Sequence, residues 1–283
     1  MRDSLPKALA VLARILIDAV LPLAVAYLLV TFLSDHDRLN TSEIGRNSLL
    51  VNTRSIFRAV DPNDRFIVAV ESSAVLLVAA LLGAIAVGVP AGITYGWSNN
   101  GRLKAPVWAA TTFAASLPAF FWAVALELLM IFIYFQFGLR FLPMAGFGVD
   151  EHLVLPALAL GIRPAAYIFR LTATAVEEIR HTDYVRTAVA KGLGERLLLV
   201  RHVLPNAAPN IIAATLLGAR GALSSLVIVE FVYIWDGAGL VFVQALGTRQ
   251  LHLAANIALA FAVGSALLTL GADFARARVR ASS

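Results

Sequence analysis

Several ionisable side chains lie inside long apolar runs, and four of them are the first place to look for chemistry. They are Glu127, Arg163, Arg220 and Glu230. Charges are costly in hydrocarbon, so each should face a cavity, a partner or another charge. Glu127 with Arg220 is the simplest structural ion pair. Arg220 and Glu230 fall ten residues apart, about 15 Å on one helix, too far to pair within it. The residue types for catalysis are missing. The five histidines (His36, His152, His181, His202, His252) have no metal-ligand spacing, and there is no cysteine for a disulfide or thiolate site. No Gly-x-x-x-x-Gly-Lys-Ser/Thr loop is present, so the chain does not hold ATP in the P-loop manner. No catalytic, cofactor-binding or metal-ligating residue is expected. The buried charges fit a lined path better than an active site.

A second concentration of charge is the stretch 178–209. It carries Arg180, Asp183, Arg186, Lys191, Glu195, Arg196 and Arg201, so it must lie in water or against another protein. Its punctuation describes two short helices. Thr182 is the expected N-cap, with Asp183 in the first turn where the helix dipole favours a negative charge. Tyr184, Val185, Ala188 and Val189 recur at helical spacing. Lys191 closes the helix, and Gly192 is the residue type that ends one in the left-handed conformation. Glu195 to Leu204 reads as the second helix, with Pro205 and Pro209 ending it or starting the next. The plainer alternative is an ordinary amphipathic loop.

The elements that must position these groups follow from composition. Of 283 residues, 59% are hydrophobic and only 14% charged, against roughly 25% charged in soluble domains. The expectation is one all-α integral membrane domain over 1–283. Spans are predicted at about 8–33, 67–95, 105–136, 153–175, 210–234 and 251–273, each with enough apolar length to cross. The 8–33 run is longer than a signal-peptide core and reads as an uncleaved helix; cleavage would leave five spans. Residues 34–66 form the expected periplasmic loop, and Gly88 to Gly92 is suited to close packing or a bend. With an inside start, most lysines and arginines fall on the cytoplasmic side, whereas the short outer loops hold only Arg140 and Arg249. That asymmetry predicts both termini and the charged stretch in the cytoplasm. The formal charge of +5 then needs no nucleic-acid partner.

The run Tyr184-Val185-Arg186-Thr187-Ala188-Val189-Ala190-Lys191-Gly192, followed by Leu204-Pro205-Asn206, resembles the cytoplasmic "EAA" loop of bacterial ATP-binding-cassette importer permeases. It is most similar to the dipeptide/oligopeptide/nickel group. Ala188, Gly192, Leu204 and Pro205 match the pattern, while Arg186, Thr187 and His202 replace Glu, Ala and Ile. Asp183-Tyr184 and the segment His152 to Leu160 also fit that group. A second signature covers Glu230, Tyr233, Trp235, Gly237 and Gly239, with Asp236 in place of the usual proline and Leu240 in place of a residue that is often basic.

The resemblance implies a permease subunit forming half of a path for peptides or a related small solute. It implies a coupling loop made by Asp183, Tyr184, Arg186, Ala188, Gly192, Leu204 and Pro205. It also places Glu127, Arg220, Glu230, Trp235, Gly237 and Gly239 as candidates for the path or its gate. The implied partners are ATPase subunits carrying ATP and Mg, a second homologous permease (hetero- or homodimer) and an extracytoplasmic substrate-binding protein, assembled in the cytoplasmic membrane of a bacterium. The alternative is an ATP-independent secondary transporter or channel, which would more often show internal repeats or ionisable residues gathered at the midplane.

Overall fold

In the computed structural model, residues 62–98, 101–139 and 141–282 are described. The predicted 8–33 span, and the 34–66 loop up to residue 61, lie outside them. Among the described residues every regular element is helical: α1 (Pro62–Trp97), α2 (Gly101–Ser116), α3 (Ala119–Phe137), α4 (Val154–Arg180), α5 (Asp183–Ala190), α6 (Glu195–Leu198), α7 (Leu204–Tyr233), α8 (Ala238–Gly247) and α9 (Leu251–Ser282). Five helical stretches are long and apolar enough to cross a membrane: Arg65–Trp97, Ala119–Phe137, Glu151–Arg180, Glu195–Tyr233 and Leu251–Ala275.

Helix α4 is the axis of the bundle, with α1, α2, α3 and α7 all packed on it. Lipid tails are as apolar as Leu, so helices here associate by close fit rather than by hiding greasy residues. Helix α1 shows this arrangement. Ala80, Ala84, Gly88, Gly92 and Gly96 recur every four residues and so share one face. A Cβ at Gly88 or Gly92 would come within 2.7 Å of the Ala165 or Phe169 carbonyl oxygen of α4, and one at Gly96 within 2.5 Å of that of Ala173. From the other side, one at Gly161 would meet the Ala80 carbonyl at 2.9 Å. Several large residues of α1, Val68, Val75, Val78 and Leu82 among them, are exposed instead, while Leu76 is buried. The Gly88 to Gly92 segment is therefore a close-packing surface.

Two helix limits differ from the predicted spans. Helix α1 is described from Pro62, ahead of the predicted span start at 67. The predicted single span 105–136 is two helices, α2 and α3, separated at Leu117-Pro118. Pro118 is extended (φ −62°, ψ 152°) and disfavours a helical residue before it. The pair still follows α4 antiparallel along its length. Lys104 Nζ donates to Glu177 Oε1 at 2.7 Å, Arg170 covers the Trp108 ring, and Arg163 Nε donates to the Ala115 carbonyl at 3.4 Å. Trp122 Nε1 donates back across the break to the Ala114 carbonyl at 3.2 Å.

Candidate functional site

At one end of the bundle, the polypeptide leaves α4 and makes the hairpin predicted from the charge pattern. Its first helix is α5, with Thr182 at the N-cap position. The Thr182 hydroxyl, however, donates to the Ile179 carbonyl at 2.6 Å and does not cap α5. The other end of α5 is as expected. Gly192 has φ +80°. Its N–H donates to the Val189 carbonyl at 2.9 Å, and the Leu193 N–H donates to that of Ala188 at 3.3 Å. These two bonds make a Schellman stop, accompanied by the usual apolar contact from the residue after the glycine.

The second hairpin helix differs from expectation. Helix α6 does not end; it passes through a π turn, Leu199–Val203, straight into α7, with Pro205 in the first turn of α7. The wider π turn accommodates the ring and missing N–H of Pro205 without a break. One side of the hairpin is thereby the rigid extension of a long helix.

The inner face of the hairpin packs Val185, Ala188, Leu198, Val203 and Ala207 against Ala175 and Val176 of α4. Arg180 Nη1 donates to the Trp97 carbonyl at 2.6 Å, which ties the root of the hairpin to α1. Asn206 Nδ2 donates to the His202 carbonyl at 2.6 Å and to the Tyr184 hydroxyl at 3.3 Å, joining α5 to α7. Asp183, Tyr184, Arg186 and Val189 are left on the outside, with Arg186 Nη1 3.7 Å from Asp183 Oδ1. Ala188, expected on that outer surface, is buried and lets α5 sit close to the bundle. Pro205 is exposed and Leu204 half-buried.

At the opposite end, Glu230 near the end of α7 is completely buried. Its carboxylate accepts from Ser73 Oγ of α1 at 2.5 Å, from the Gly239 N–H at 2.6 Å and from the Leu240 N–H at 3.3 Å. Ser73 Oγ in turn accepts from the Ala238 N–H at 2.7 Å. Together the two side chains satisfy the first three N–H groups of α8, and a carboxylate there complements the helix dipole.

The turn between α7 and α8 is equally anchored. Trp235, also fully buried, donates from Nε1 to the Ser72 carbonyl at 3.1 Å, and the Tyr233 hydroxyl donates to the Ala123 carbonyl at 3.1 Å. Gly237 and Gly239 have no unusual φ. They are glycine because a Cβ at Gly237 would overlap the Glu230 carboxylate, and one at Gly239 would reach the Val227 Cα at 2.5 Å. The second signature thus fastens four helices, α1, α3, α7 and α8. Glu230 and Trp235 are enclosed in this conformation and line no open surface.

Between the two ends, Arg163 of α4 and Arg220 of α7 border one cavity of about 470 Å³. Glu127 is half-buried on α3. Ion pairs join Lys104 to Glu177, His152 to Asp150 and Arg186 to Asp183.

Residues 88–281 match the family described as "Binding-protein-dependent transport system inner membrane component". The chain belongs to that family. It is 31% identical over 187 residues to the dipeptide transport system permease protein of Bacillus subtilis, covering 65% of this chain and 57% of that protein. It is 30% identical over 199 residues to the glutathione transport system permease protein of Escherichia coli, covering 70% of this chain and 63% of that protein. The chain thus spans less than two thirds of the length of these relatives. As a family member with five crossing-competent helices, it is a multi-pass component of a bacterial inner membrane.

For this transport-system component, the structure places the predicted coupling residues together on or beside α5. It separates the predicted path residues into the buried fastening around Glu230, the cavity that includes Arg220, and Glu127 on α3, which joins neither. Sequence reasoning missed Ser73 and Ser72, whose partners lie 157 and 163 residues away. Nothing near them in the chain signals those contacts. Asn206 was visible inside the Leu-Pro-Asn run, but its link to Tyr184 was not.

Proposed function

We propose that this chain is the transmembrane permease subunit of an ATP-binding-cassette importer. In this reading six spans, the first at 8–33, place both termini and the hairpin in the cytoplasm. The chain forms half of a translocation path, and a second homologous permease supplies the other half. A separate ATPase carries ATP and Mg, as expected for a chain without a P-loop. An extracytoplasmic binding protein delivers the solute. Peptides are the favoured solute class, because relatives are named for dipeptides and glutathione.

The observation that carries this reading is the mounting of the hairpin. Helix α5 presents Asp183, Tyr184, Arg186 and Val189 outward, while its other face is pinned to α4 and α7. A push on α5 is therefore transmitted to two crossing helices rather than absorbed by a loose loop. The Schellman stop and the α6–α7 continuity keep the lever stiff. A secondary transporter would have no use for such a lever.

The test is purification of the tagged chain from its native membrane in mild detergent. An ATPase subunit should come with it, and reconstituted vesicles should take up solute only with ATP inside the ATPase compartment. Asp183→Ala with Arg186→Ala should abolish ATP-driven uptake while the protein stays in the membrane. Normal uptake by that double variant, or no ATPase in the preparation, would remove the coupling role.

A further inference from the structure

A second cavity, of about 410 Å³, lies where the end of α3 meets the loop that leads into α4. Among the described residues its walls include Met130, Tyr134, Phe141, Met144, Glu151 and His152. The chain has three methionines, and both that follow Met1 are in this wall. Thioether side chains are flexible and polarizable, so they mould to apolar groups of different shape. Phe141 is 61% exposed and Met144 37% exposed, and neither lies in a membrane-crossing helix. An apolar pocket with a few polar groups at its edge is the usual form of a small-molecule site.

The loop is anchored, so the cavity is a built one. Gly138 stops α3 with φ +67°, its N–H donating to the Tyr134 carbonyl at 2.8 Å. The Gly146 N–H donates to the Tyr233 carbonyl at 2.9 Å, and the Phe147 ring packs on the buried Trp235 with centroids 4.8 Å apart. Asp150 Oδ1 accepts from the His152 N–H and contacts its Nδ1, with the imidazole against Gly146. The rim of the cavity is thereby tied to the fastening around Glu230. Glu151 stands exposed at its edge.

We infer that this cavity receives the amino-terminal residue of a peptide solute at the outer mouth of the path, with the apolar side chain against Met130, Phe141 and Met144 and the ammonium group at Glu151. The inference rests on the permease reading above, which puts this end of the bundle outside and makes peptides the solute. An ammonium group beside an exposed carboxylate gains little by itself. Burial of the apolar side chain supplies most of the affinity, and the carboxylate sets the orientation. A phospholipid with an amine headgroup offers the same pair of features, and the experiment separates the two sources.

The chain has no cysteine, so Met144→Cys gives the cavity a single thiol. The full complex is placed without ATP in phosphatidylglycerol nanodiscs, which leave both faces open, and N-ethylmaleimide labelling is followed by the mass of this chain. Phenylalanyl-alanine should slow labelling. N-acetyl-phenylalanyl-alanine, without the ammonium, and glycyl-glycine, without the apolar side chain, should protect less. Phe141→Ala should raise the half-protecting concentration of phenylalanyl-alanine about tenfold or more, and Glu151→Gln about threefold. Glu151→Gln should leave the acetylated peptide unchanged, which a general loosening of the loop would not.

A thiol that does not react, or one that phenylalanyl-alanine does not protect, overturns the site. Equal protection by glycyl-glycine overturns the apolar selection, and half-protecting concentrations unmoved by both variants overturn the placement. Blocking of the thiol by added phosphatidylethanolamine, with no effect of the peptide, assigns the cavity to lipid and overturns the solute reading. Absence of the ATPase from the preparation would sink the importer reading while leaving the protection intact; missing protection in an ATPase-containing complex would sink this inference alone.

Discussion

At Gly192 the backbone holds φ +80° with nothing within 4 Å of where a Cβ would go. At Gly237 and Gly239 the backbone is ordinary and the space is already filled by Glu230 and Val227. The hairpin end needs glycine for its conformation, whereas the fastening at the other end needs it for its lack of volume. The hairpin is polar, exposed and held by a few bonds from one side. The fastening is sealed, with Ser73 and the Gly239 and Leu240 N–H groups satisfying the Glu230 carboxylate and the Ser72 carbonyl satisfying the Trp235 indole. On the proposed reading, the hairpin meets a partner and must keep its outer face free, while the buried fastening must not yield. Damage should therefore spread through the whole molecule at one end and stay local at the other.

The largest effect is expected from Glu230→Ala. It leaves the Gly239 and Leu240 N–H groups and the Ser73 hydroxyl buried without their acceptor, at about 1–3 kcal/mol for each unsatisfied group. A drop of at least about 3 kcal/mol in unfolding free energy in detergent, with low membrane yield, is the expected outcome. Near-normal melting would mean that α8 is not fastened this way. Gly239→Ala comes next, costing about 1–3 kcal/mol by overpacking against the Val227 backbone. Ser73→Ala removes a donor from Glu230 and the acceptor of the Ala238 N–H without easing the clash, so the two variants should not compensate.

Gly192→Ala sharpens the contrast. The space is open, so only the left-handed backbone opposes the methyl group, at about 1–2 kcal/mol. That cost should appear as fraying of α5 in hydrogen exchange, with global melting almost unchanged and ATP-driven uptake reduced. Global destabilisation by Gly192→Ala equal to that by Gly239→Ala would erase the distinction between the two ends. Asn206→Ala should be milder, about 0.5–1.5 kcal/mol for its bond to the His202 carbonyl, and should chiefly loosen α5 from α7.

The smallest expected effect is in the loop before α4. Asp150 accepts from the His152 backbone N–H at 2.9 Å and contacts its Nδ1 at 2.7 Å. The backbone bond first, and then the ring, hold the Asp150 carboxyl below its usual range. A lowered folded pKa means that the contribution is present above the unfolded value and is lost as pH falls through the folded one. Loop order, followed by NMR of His152, should persist at neutral pH and fade only in strong acid, and Asp150→Asn should remove that transition.

Much of the hairpin was legible in the sequence because its rules are local. A helix stop at Lys191-Gly192 depends on the φ preference of one residue, and charge excludes a stretch from lipid wherever its neighbours lie. Local rules failed where a longer element overrode them. Thr182 turned back to Ile179, and α6 ran on through a π turn because α7 had to continue. Pro118 was noted inside a span, but apolar length alone could not show that it divides the span.

The amino-acid order by itself determined an all-helical membrane domain, the place of the charged hairpin and the glycine that ends its first helix. Each follows from how far an apolar run reaches or what one backbone position can adopt. Only the tertiary structure decided that Ser73 meets Glu230, that two glycines make room for a carboxylate, and that Arg163 and Arg220 share one cavity. Those pairings join helices far apart in the chain, and they are fixed by how closely the small-residue faces of α1, α4 and α7 can approach.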